Sequence, residues 1–99
     1  METKFKRFEQ LIEAFLQMKT KEQMLNLLLG ILTPRELNEL VNRVRIIKML
    51  KKGVPQHEIS NRLHVGVATI TRGSRELKMG RFKYLWTNSL LTRRVDRTM

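Results

Sequence analysis

Residues 55–78 read PQHEISNRLHVGVATITRGSRELK, and this stretch decides the fold. Pro55 suits a first helical turn, and Ile59 and Leu63 stand at an i, i+4 spacing that points both inward, so a short helix is predicted from Pro55 to Leu63. Val67, Ile70 and Leu77 predict a second helix from Val67 to about Lys78, closed by Met79 and Gly80. His64, Val65 and Gly66 between them have the length of a helix-turn-helix joint. His64 stands where such turns usually carry glycine, a place histidine tolerates because it enters the left-handed region more readily than most residues. Ile59, Leu63, Val65 and Ile70 are expected to hold the two helices together. The small Ala68, Thr69 and Thr71 are expected to face away, where they let a helix N-terminus approach base edges and phosphates. Gly73 costs about 1 kcal/mol in mid-helix relative to alanine, which points to close packing or a ligand.

Upstream of this stretch, Thr33, Pro34 and Glu36 give the clearest start signal in the chain: a Thr cap, a proline at the first helical position and a Glu completing a capping box. The helix they open runs to about Lys52, with Leu37, Leu40, Val41, Val44, Ile47 and Leu50 as its buried stripe and Gly53 as its C-terminal glycine. Thr20 and Gln23 form a second capping box before Met24–Leu29, a segment apolar nearly all round. Such a helix on a monomer exposes a patch that invites association, so it is read as buried between subunits. Phe5, Phe8, Leu11, Ile12, Phe15 and Leu16 recur at helical spacing and make the first helix amphipathic. Downstream, Phe82, Leu85, Trp86, Leu90 and Leu91 suggest a last short helix packed on the dimer core. The expectation is an all-α chain of five to six helices, with one domain over residues 1–91 and a disordered basic tail over 92–99.

Charge narrows the function. The 99 residues carry 20 basic and 9 acidic groups, a net charge of +11, distributed as +1 over residues 1–34, +6 over 35–80 and +4 over 81–99. A polyanionic partner is implied, with double-stranded DNA ahead of an anionic membrane surface. Arg45, Lys48, Lys51, Lys52, Arg62 and Arg75 are candidates for phosphates, each contact steepening the salt dependence by about 0.9. No cysteine is present and the N-terminus shows no secretory leader, which fits the reducing cytoplasm; the longest apolar run, Met24–Leu32, is too short to span a bilayer. Catalysis is not indicated: the two histidines, His57 and His64, lie within the helix-turn-helix, and no metal, nucleophile or phosphate-loop spacing occurs. A non-specific nucleic-acid or nucleoid-binding protein is the competing reading, since charge alone favours it.

The stretch TPRELNELVNRVRIIKMLKKG from Thr33, then Ala68-Thr69-Ile70-Thr71-Arg72-Gly73-Ser74 and Leu77-Lys78, resembles the bacterial tryptophan operon repressor family over about Leu32–Lys78. The turn around Gly53–Gln56 is one residue shorter than in the tryptophan-sensing members. The resemblance implies an intertwined homodimer whose second helix-turn-helix helices enter successive major grooves of a roughly palindromic operator. It puts the DNA-facing positions on Gln56, His57, Ser60, Gly66, Val67, Ala68, Thr69 and Thr71, with His57 and Ser60 standing where the family has Arg and Lys. It also implies an L-tryptophan corepressor whose indole lies between Arg43 and Arg72 beside Gly73, with Leu32 and Thr33 of the partner subunit closing the site. Two positions depart: Gly30 replaces a larger apolar residue, and Glu76 replaces a small hydroxyl residue that meets the ligand's ammonium group. Arg43 also lies four residues after Glu39, and Arg72 four before Glu76, so ordinary helix-surface ion pairs compete for both arginines.

Overall fold

The computed structural model describes residues 2–87 and contains five α-helices in this order: α1 Glu2–Leu16, α2 Lys21–Ile31, α3 Pro34–Lys51, α4 Gln56–Leu63 and α5 Val67–Lys78. No strand occurs among the described residues. The chain divides into two compact units, Met1–Asn38 and Glu39–Met99, with the division inside α3.

In the first unit local chemistry sets the helix boundaries. Thr20 caps α2, its Oγ1 accepting from Gln23 N–H at 3.1 Å, while Gln23 Oε1 reaches back to accept from Lys19 N–H at 2.8 Å. At α3 the capping box is reciprocal: Glu36 N–H donates to Thr33 Oγ1 at 3.2 Å, and Thr33 N–H donates to Glu36 Oε1 at 2.9 Å. Burial contributes little here. α2 has no buried residue, and Phe5, Leu16, Leu25, Leu29 and Ile31 are all more than half exposed. The apolar stripes of α1 and α2 are thus present as predicted and lack a cover within the chain.

The second unit holds the core. Ile46 of α3, Ile59 of α4 and Ile70 of α5 are fully buried, and Met49, Leu50, Val54, Leu63 and Val65 pack around them. Each fully buried isoleucine contributes about 1.5–3 kcal/mol by removal of apolar surface from water. Ile59, Leu63, Val65 and Ile70 hold α4 and α5 together as predicted. The expected stripe on α3 needs correction. Leu40, Val41 and Val44 remain about two-fifths exposed, and the residue that enters the core is Ile46, which the stripe omitted. Ile46 lies on the face of α3 shared with Arg43, Met49 and Leu50, rotated from the apolar row that hydropathy alone selects.

Each turn in this unit uses one left-handed residue. Gly53 (φ 85°) ends α3 in a Schellman motif, with Val54 N–H donating to Met49 carbonyl at 3.1 Å and Gly53 N–H to Leu50 carbonyl at 3.0 Å. His64 (φ 56°, ψ 46°) ends α4 and is the left-handed histidine expected there. After α5 the chain turns at Gly80 (φ 84°) and continues through residues 81–86 as hydrogen-bonded turns, where a last helix from Phe82 was expected. Leu90, Leu91 and the tail 92–99 lie outside the described residues.

Candidate DNA-reading face and effector cleft

The α4–α5 joint is fixed by side chains as well as by the core. Ser60 Oγ donates to Val65 carbonyl at 2.8 Å, tying α4 to the turn, so this hydroxyl serves the joint itself. Thr71 Oγ1 donates to Gln56 Oε1 at 3.2 Å across the two helices. α5 starts at Gly66 (φ −62°, ψ 147°) with no side-chain cap, so its first N–H groups are not engaged by a capping side chain. Gly66, Val67, Ala68 and Thr71 are exposed around this helix start, and His57 is exposed on α4. They form an open surface that a phosphate or base edge can approach. Thr69 is the exception in the predicted row: it is half-buried and lines the cleft on the other face of α5.

The candidate phosphate contacts divide by their partners. Arg62 is ion-paired with Glu58 one helical turn earlier. Lys48 lies over the Trp86 ring at 5.4 Å from its centroid, and Lys51 Nζ donates to Leu85 carbonyl, so the segment after α5 covers this part of α3. Arg45, Lys52 and Arg75 are exposed with no side-chain partner among the described residues. Trp86 thus meets a lysine of its own chain. Tyr84, expected to pack with it, is 84% exposed.

Between α3 and α5 lies a cleft of about 560 Å³ lined by Leu40, Arg43, Val44, Ile46, Ile47, Thr69, Arg72, Gly73, Glu76, Arg81 and Phe82. It has the size of a small-molecule site, with an apolar floor and charged walls. The 69, 72/73, 76 spacing puts Thr69, Arg72, Gly73 and Glu76 on one side of α5. At Gly73 an added Cβ would meet Ile46 Cγ2 at 3.4 Å and Leu50 Cδ1 at 3.6 Å. That is ordinary contact, so the glycine keeps this wall thin and is not forced by a clash.

Arg43, Arg72, Gly73 and Glu76 are therefore brought together as expected, whereas Leu32 and Thr33 are not among the cleft residues. Leu32 is the C-cap of α2, and Thr33 is engaged in the capping box of α3. Neither Arg43 nor Arg72 has an ion-pair or hydrogen-bond partner among the described residues, so the competing helix-surface pairs do not form. Glu76 pairs instead with Arg81, whose Nε donates to Glu76 Oε1 at 2.9 Å. Arg81 and Phe82 are the cleft residues that sequence reasoning missed. The only signal for them was Gly80, whose left-handed turn brings the chain back along α5.

A helix-turn-helix with an exposed second-helix start, and a small-molecule cleft behind that helix, defines the class of all-helical DNA-binding regulators. Comparison with known proteins agrees. The family model described as Trp repressor protein matches residues 6–90. A Trp operon repressor homolog of Vibrio campbellii is 42% identical over 78 residues, covering 78% of this chain and 78% of that protein. The corresponding homolog of Vibrio cholerae is 44% identical over 75 residues, 75% of this chain and 73% of its own length. A homolog from Aliivibrio fischeri reaches 55% over 53 residues, about half of each chain. The chain belongs to the Trp repressor family, and with it to the DNA-binding transcriptional repressors, not to the enzymes. No helix among the described residues is long and apolar enough to cross a membrane.

Proposed function

We propose that this repressor acts in the cytoplasm as a homodimer on a two-fold operator, and that a small effector, L-tryptophan, seated in the α3–α5 cleft governs its grip on DNA. The observation that carries the effector reading is the pair of unpartnered guanidinium groups, Arg43 from α3 and Arg72 from α5, that line one cleft over an apolar floor of Ile46, Ile47 and Gly73. Guanidinium planes stack on aromatic faces and pair with a carboxylate, so an indole amino acid satisfies both. The ligand would lie directly behind α5, where it can set the position of the DNA-reading face. The dimer is supported by the uncovered apolar stripes of α1 and α2, too large a surface for a lone small chain. In such a dimer Leu32 and Thr33 of a second copy close the cleft.

Gln56, His57, Gly66, Val67, Ala68 and Thr71 would face the DNA, with Ser60 holding the joint and Arg45, Lys52 and Arg75 on phosphates. A histidine at position 57 reads different base edges from an arginine, so the operator differs from that of relatives with arginine there. Calorimetric titration of L-tryptophan into the full chain tests the effector. Saturable heat at one site per chain is expected; no heat at millimolar ligand would leave a DNA-binding protein without this effector.

A further inference from the structure

The cleft holds a feature that its arginines do not explain, a single carboxylate among three guanidinium groups. Glu76 is the only acid lining it, and Arg81 grips that acid twice. Arg81 N–H donates to Glu76 carbonyl at 3.2 Å, as part of the Schellman turn at Gly80, and Arg81 Nε donates to Glu76 Oε1 at 2.9 Å. The backbone bond fixes where Arg81 begins, so the ion pair forms with little further ordering. Glu76 Oε2 has no protein partner among the described residues, and the side chain is only 27% exposed. Arg81 is 63% exposed, so it holds the carboxylate from the solvent side and leaves the inner oxygen to the cleft.

We infer that Glu76, positioned by Arg81, makes the cleft select ligands bearing an ammonium group over ligands bearing only a carboxylate. This rests on the effector reading above and assigns its chemical class: a zwitterion with an apolar body. The charges match it end to end. Arg43 and Arg72, both unpartnered, take the anionic end, and Gly73 with Ile46 takes the body. The free oxygen of Glu76 takes the cationic end. An acid without the ammonium gains the same arginines, yet it presses an apolar group against a part-buried carboxylate and strips its water without replacing it. An ammonium replaces that water with a charge-assisted hydrogen bond. Arg81 keeps the carboxylate ionised and aimed; it is a positioning residue that need not touch the ligand.

The test uses the full chain and three probes in calorimetry: L-tryptophan, indole-3-propionate, which lacks the ammonium, and tryptamine, which lacks the carboxylate. The quantity read is the ratio of affinities for L-tryptophan and indole-3-propionate, which a general loss of stability does not move. One charge-assisted hydrogen bond predicts a ratio of at least about 10 in the unaltered protein. Glu76→Gln is expected to bring the ratio near one by weakening L-tryptophan and tryptamine while leaving indole-3-propionate as it was. Arg81→Gln should lower the ratio severalfold, and Arg81→Lys should restore part of it. Equal binding of L-tryptophan and indole-3-propionate by the unaltered protein overturns the inference and leaves the effector site standing. No binding of any probe overturns the effector reading and this inference together. An unchanged ratio in Arg81→Gln removes the positioning role.

Discussion

The two units of the chain use apolar residues in opposite ways. In α4 and α5 few apolar side chains suffice, because Ile59 and Ile70 are wholly buried against Ile46 and fix the joint on which the DNA-reading residues stand. In α1 and α2 apolar side chains are far more numerous, yet none of those described is buried within the chain. Hydrophobicity per residue does not distinguish a core from an interface; what covers the face does. The helix-turn-helix carries its specification internally, whereas the N-terminal helices are written for a second polypeptide.

That contrast is breakable. Ile59→Ala opens a cavity in the tightest part of the chain and should cost about 2–5 kcal/mol of unfolding free energy, read as a large loss in denaturant midpoint. A loss under about 1 kcal/mol would show that the α4–α5 core is looser than its burial indicates. In the N-terminal unit, Leu25→Asp with Leu29→Asp should act on association: sedimentation should shift from dimer to monomer, and an unshifted dimer would mean these faces are covered by something else. Thr33→Ala removes the reciprocal cap of α3 and should cost about 1 kcal/mol in thermal or chemical unfolding. Thr69→Ala with Thr71→Ala should weaken specific DNA binding while the dimer stays intact in sedimentation, since neither threonine is in the buried isoleucine core. Separating the two single variants sharpens the account. Thr71 stands on the DNA side and holds Gln56, whereas Thr69 lines the cleft, so only Thr69→Ala should also change effector affinity. The smallest effect is expected for His64→Gly, which relieves a left-handed histidine but frees the unfolded chain, a net change within about 1 kcal/mol.

Much of the fold was legible from local chemistry. Both capping boxes, the Pro34 start, the Gly53 stop and the left-handed His64 follow from residue type within one helical turn, and each occurs where the sequence puts it. The core face of α3 was less legible, because its apolar row and its core row are different faces of one helix and periodicity picks the more hydrophobic. Ile46 sits on the less hydrophobic row and is recognised only from what packs on it, Ile59, Ile70 and the thin wall at Gly73. In the cleft, Arg43, Arg72, Gly73 and Glu76 were legible through the motif around them, and their convergence bears that out. Arg81 and Phe82 were not, since residues 81–86 read as the start of an amphipathic helix. The Gly80 turn and the Glu76 ion pair divert them along α5, and a pairing across a left-handed turn has no periodic signature.

The most direct measurement is selection of DNA by the full chain from a pool of random duplexes, carried out with and without L-tryptophan. The account predicts an enriched, roughly palindromic sequence with half-sites about one helical turn apart, bound about a thousandfold or more above random DNA and recovered more strongly with the amino acid present. Failure to enrich any sequence, with binding that follows salt alone, would contradict it and leave a non-specific basic nucleic-acid binder.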